Sequence, residues 1–262
     1  MSGVVAVSGV ARGYAHDPVR VKLTTLIAAC SALAVSATTQ AAPIPVAQYS
    51  FSSKGDVGAF SASGGKCARK WRQMATKPTG KEGGKGGGMA VNLGSGTNAC
   101  LLRTSVVADS SDIAPDQAVT ATVSLARAPG KLQKKAYQGV TVRRSDTAGY
   151  ELRVLPAAGK WQVFRDPKGA DPAVLLASGS GKFIRSGRKS NNLALRAFDF
   201  GGTDTTLVAS VNGRNVVSTT DSGTDQPDGR RNGVTVGVKG TGAGTGVIAL
   251  FEQVTVQVPN PF

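Results

Sequence analysis

The groups in this 262-residue chain that could do chemistry are two tyrosines, three scattered glutamates and many arginines, because the usual catalytic nitrogen is missing. The one histidine is His16, so a chain shortened past residue 41 can build no Ser-His-Asp or Cys-His relay and no histidine-held zinc site. Glu82, Glu151 and Glu252 are isolated, and no Glu-x-Asp-x-x-Glu strand places two of them on one face, which removes that retaining glycosidase solution. Tyr137 or Tyr150 could act as acid or base in a lyase, with Arg143, Arg144 or Arg153 neutralising a substrate carboxylate. Tyr150 and Trp161 nevertheless sit where strands want core aromatics, and Glu151 and Arg153 read as solvent-facing.

Binding chemistry is better represented. Trp71 lies between Arg69, Lys70 and Arg72, so an outward indole could stack on a sugar while Arg69 and Arg72 hold anionic groups. An indole pointing inward between outward cations is the other orientation that a strand allows. Asp221, Asp225 and Asp228 crowd one short loop and form a candidate calcium site, although Asp beside Gly and Pro is also ordinary turn composition. The formal charge is +15, with one basic cluster around Arg127, Lys131, Lys134, Lys135, Arg143 and Arg144 and another at 182–189. Such a surface attracts polyanions, and acidic polysaccharide or an anionic cell-envelope polymer is the expected partner. Nucleic acid is disfavoured by the absence of an aromatic-interleaved recognition motif and by the export signal described below.

These groups must be positioned by strands. Short β-rich runs recur at 48–52, 89–93, 100–107, 117–127, 138–144, 150–155, 161–165 and 173–177, separated by Gly, Asp and Pro turns. Further runs follow at 191–198, 207–211, 214–218, 233–238 and 246–257. Asn212-Gly213 joins two of them as a two-residue hairpin, since both residues accept the positive φ that a type I′ turn needs. No segment sustains helical periodicity, so the expected fold class is all-β, with two packed antiparallel sheets. The Gly/Lys-rich stretch 77–88 reads as a mobile loop, and without a following Gly-Lys-Ser/Thr it is no phosphate cradle.

Residues 1–41 read as a leader with a signal peptide: Arg20 and Lys22 precede an apolar run too short to span a bilayer, and small residues lead to a cleavage point after Ala41. Initiation at Val21 would give a more compact leader. Residues 42–262 would then form one secreted sandwich domain with no transmembrane span; lipoprotein processing at Cys30 is the alternative. Of the cysteines left after the leader, Cys67 and Cys100 are expected to form one structural disulfide, as exported pairs usually do.

The order Gly149-Tyr150-Glu151-Leu152-Arg153-Val154, Gly159-Lys160-Trp161-Gln162-Val163-Phe164, Val211-Asn212-Gly213, Gly233-Val234-Thr235-Val236-Gly237 and Phe251-Glu252-Gln253-Val254 resembles the concanavalin A-like jelly-roll group. Within it the sequence is most similar to laminin-G-like domains and to the related domain of 3-keto-disaccharide hydrolases. The resemblance implies a jelly-roll sandwich and a carbohydrate-related role, and calcium sites are frequent among laminin-G-like relatives. The group holds binding modules, hydrolases and lyases, so architecture does not choose among them. The expected function is a non-catalytic glycan-binding or surface-interaction module. The alternative is a hydrolase or lyase that works without histidine.

Overall fold

The computed structural model describes residues 44–63, 66–73, 87–107, 116–146, 148–166, 172–199, 204–240 and 243–258. The leader, Cys30 and residues 77–86 of the Gly/Lys-rich stretch lie outside the described residues. Gly87 and Gly88 are strand rather than loop.

Two antiparallel sheets make up most of the described chain. Sheet A runs in the order β13 (Arg214–Asp221), β12 (Thr205–Val211), β11 (Asn191–Asp199), β6 (Gln117–Arg127), β15 (Ile248–Val258), β4 (Gly87–Leu93) and β3 (Cys67–Gln73). β1 (Ile44–Tyr49) pairs with the second half of β15. Sheet B runs β10 (Val174–Ser180), β9 (Lys160–Asp166), β8 (Gly149–Leu155), β7 (Ala136–Arg144), β14 (Arg231–Val238), β5 (Ala99–Val107) and β2 (Phe60–Ser63). The Asn212-Gly213 turn has φ of 53° and 76°, as the type I′ reading requires.

Alternation decides what lies between the sheets. Val119, Val123, Leu193, Leu195, Leu207 and Phe251 point inward from sheet A, and Val140, Leu152, Val154, Val163, Val234 and Val236 from sheet B, all fully buried. Each contributes about 1.5–3 kcal/mol by leaving water. Tyr150 and Trp161 belong to the same core.

The antiparallel order gives the sandwich two distinct ends. At one, Cys67 of sheet A bonds Cys100 of sheet B, so the disulfide joins the two layers. At the other, polar side chains tie them. A β-bulge at Val142–Arg143, with φ of 50° at Arg143, turns that arginine into the interior beside Val142. Its guanidinium meets Asp199 Oδ2 at 2.9 Å and donates to Thr205 Oγ1 at 2.8 Å, both on sheet A. Its amide donates to Gln117 Oε1 at 2.9 Å.

Candidate functional site

The outer face of sheet B carries a groove of about 410 Å³. Because Val140, Leu152 and Val234 point inward, their neighbours Tyr137, Thr141, Glu151, Arg153 and Thr235 point outward and line it. Arg144, Asp146 and Asp166 form one wall, and the turn 96–98 another. Gly237 lies against Tyr137: a Cβ there would lie 2.4 Å from the Tyr137 hydroxyl, so only glycine lets that ring lie against β14.

Charges in the groove are paired. Glu151 Oε2 accepts from Arg153 Nη2 at 2.6 Å, Asp166 Oδ2 from Arg144 Nη1, and Asp146 Oδ1 from Arg103 Nη1. The Arg153 guanidinium also lies 4.9 Å from the Tyr137 ring centre and 4.3 Å from that of Phe164. Several buried polar atoms here have no hydrogen-bond partner: Glu151 Oε1, Thr141 Oγ1 and the Nε of Arg144 and Arg153. Glu151 is 4% and Thr141 1% exposed. A buried polar atom without a partner costs about 1–3 kcal/mol.

Burial and Glu151 together push the Asp166 carboxyl above its ordinary value of 3.8, against the pull of Arg144. Burial, then the Glu151 charge, raises the Tyr137 phenol as well. Burial alone would lower Arg153, and the adjoining Glu151 carboxylate more than reverses that.

The residues singled out from sequence separate. On β3 the half-buried Trp71 packs against the core and its indole N–H donates to Phe51 O at 2.8 Å, which is the inward of the two orientations. Arg69 shares its face, half-buried, and Arg72 is exposed on the other. Arg143 is interior and 2% exposed, so it is no surface ligand; Arg144 alone of the five lines the groove. Glu151, expected to face solvent, is buried beside Asp166, because it pairs across strands with Phe164, two residues away. Asp166 was legible only as a turn residue before Pro167.

The three aspartates of the 221–228 loop have different surroundings. The Asp221 carboxylate accepts from the Tyr150 hydroxyl at 2.9 Å and from Arg165 Nη1 at 2.9 Å, while Asp225 and Asp228 are exposed. Among the described residues no group of three His, Cys, Asp or Glu is placed to hold a metal ion. No described helix is long and apolar enough to cross a membrane.

No family model matches the chain, and no curated protein matches it. Solved structures do. The carbohydrate-binding module CBM66 from Bacillus subtilis aligns over 76% of this chain and 95% of its own, at 15% identity and a TM-score of 0.50. An endo-1,3-beta-glucanase from Streptomyces sioyaensis covers 84% and 98%, at 10% identity and a TM-score of 0.53. A Bacillus subtilis protein of unknown function with a galectin-like fold covers 84% and 99%, at 13% identity and a TM-score of 0.52. The fold is a concanavalin A-like jelly roll. At these identities the likeness is one of architecture, and this jelly roll's chemistry has to be argued from its own groove.

Proposed function

We propose that the protein is an exported, non-catalytic glycan-binding module whose sugar site is the groove on the outer face of sheet B. The observation that carries this reading is the set of unpartnered buried atoms, Glu151 Oε1, Thr141 Oγ1 and the arginine Nε groups, gathered in one cavity beside Tyr137. Acceptors and donors fixed at a rigid sheet match the alternating hydroxyls of a saccharide, and holding them there costs the ligand little reorganisation of the protein. The solved neighbours that include a carbohydrate-binding module and a glucanase support a carbohydrate partner. The disulfide between the sheets supports an oxidising compartment, hence export. Acidic polysaccharide or an anionic envelope polymer is the preferred class because the chain carries a formal +15.

One observation favours the enzymatic alternative: Glu151 and Asp166 share the groove, and burial raises one of them. Each is held in an ion pair with an arginine, and structural ion pairs of this kind need no catalytic role to explain them, so binding is the stronger reading. Affinity electrophoresis against a panel of neutral and acidic polysaccharides, with assays for reducing ends and unsaturated products, tests both. Retention without product supports a binding module; turnover of any glycan overturns it.

A further inference from the structure

The described turn residues at the disulfide end of the sandwich are 94–98, 128–135, 156–159, 181–190, 212–213, 239–240 and 243–247, and their sequences contain no aspartate or glutamate. They contain instead Lys131, Lys134, Lys135, Arg185, Arg188 and Lys189, all exposed. Four aspartates collect at the other end, where Asp146, Asp166, Asp199 and Asp221 hold Arg103, Arg144, Arg143 and Arg165 in ion pairs, while one carboxylate, Glu252 on β15, reaches the disulfide end and accepts from the Ser190 hydroxyl. Among the described residues none of the cations of the disulfide end has an ion-pair partner. This segregation is invisible along the chain. It appears only when the antiparallel register brings turns from 94 to 247 to one end.

These turns form one connected surface. The Lys239 amide donates to Lys135 O at 2.9 Å, and that of Gly181 to Gly159 O at 3.0 Å. Arg127, at the end of β6, and Arg188, in the 181–190 turn, line the same cleft of about 230 Å³, together with Gln133 and the Pro156–Ala157 segment, with no acidic residue in its walls. The groove of sheet B differs in kind, because its carboxylates and arginines neutralise one another.

We infer that the disulfide end is a second binding surface, which adjoins the groove at the turn 94–98 but carries its own cations, and which takes the anionic groups of an acidic polysaccharide. This rests on the acidic-polymer part of the proposed function and assigns it a place. Uncompensated cations on several turns attract a flexible polyanion along its length, and the Arg127–Arg188 cleft offers two guanidinium forks to one sulfate or carboxylate. The disulfide supports an oxidising compartment outside the cytosol, where acidic polysaccharide is found. Insertion into a lipid surface does not fit, since the exposed large hydrophobics among the described residues, Val174 and Leu175, lie on β10 away from these turns.

The test compares two triple variants on heparin-agarose: Lys131→Glu, Lys134→Glu and Arg188→Glu at the disulfide end, and Lys54→Glu, Lys70→Glu and Arg231→Glu elsewhere, which change the net charge equally. The first set should lower affinity for heparin about tenfold and elute at lower salt, and the second should shift it much less. A glutamine version of the first set, with an unchanged melting curve, should give an intermediate loss. Equal losses from both sets would reduce the effect to net charge and overturn the inference. So would absence of heparin binding by the wild type, or equal affinity for a 20-residue DNA single strand at the same salt. Neutral-glycan binding measured in parallel separates the two readings: its absence beside an intact heparin effect would refute the groove and leave the disulfide end standing.

Discussion

Glu151 shows how one side chain can be costly to the fold and useful to a ligand. One oxygen is held by Arg153 and the other is buried without a partner. Glu151→Gln keeps the shape and removes the charge, so the Arg153 bond weakens and a ligand hydroxyl loses a charged acceptor; sugar affinity should fall about tenfold. Asp166 makes a pH prediction. Its folded carboxyl binds a proton more tightly than the unfolded one, so its contribution to stability is fully present below the unfolded value near 3.8 and is lost as pH rises through the folded value. The stability of Asp166→Asn relative to wild type should therefore improve as pH rises from 3 to 7, as read by urea unfolding; a difference flat with pH would contradict the assignment. Arg143→Ala should cost about 3 kcal/mol, because it takes the cation from Asp199 and a donor from Thr205, whose hydroxyl keeps its bond to Gln226, at the join between the sheets.

At the scale of elements, the hairpin was plain from sequence because Asn-Gly has one low-strain use between two β-rich runs. Gly213→Val, at φ of 76°, should cost about 1–2 kcal/mol in thermal unfolding. β3 was hidden, because its Arg-Lys-Trp-Arg run alternates by burial rather than by hydrophobicity: Arg69 and Trp71 turn in while Lys70 and Arg72 turn out. β1 was displaced from 48–52 to Ile44–Tyr49, with a Pro tolerated because the strand lies at an edge. The Cys67–Cys100 pairing was expected, but its joining of opposite sheets depends on β3 and so was not. Replacing both cysteines by serine should cost about 3 kcal/mol and leave a folded sandwich, since the core spans both layers. The groove was the least legible part. Strand register sets Glu151, Arg153, Asp166 and Tyr137 together, and no local motif records a register.

Among the described residues charge is polarised, with ion-paired aspartates at one end of the jelly roll, lysines and arginines outside any ion pair at the other, and a groove of paired charges on the face between them. Net charge alone suggests a diffuse attraction to polyanions. On the reading proposed above, the segregation of charge would make that attraction directional and leave the groove to read sugar hydroxyls. The direct test of the central claim is titration calorimetry of wild type and Glu151→Gln with a polysaccharide that retards the wild type in affinity electrophoresis, at a salt concentration that screens the basic end. The account predicts binding by the wild type and about tenfold weaker binding by a variant with an unchanged melting temperature. Equal affinities, or a panel in which no polysaccharide is retained, would contradict it.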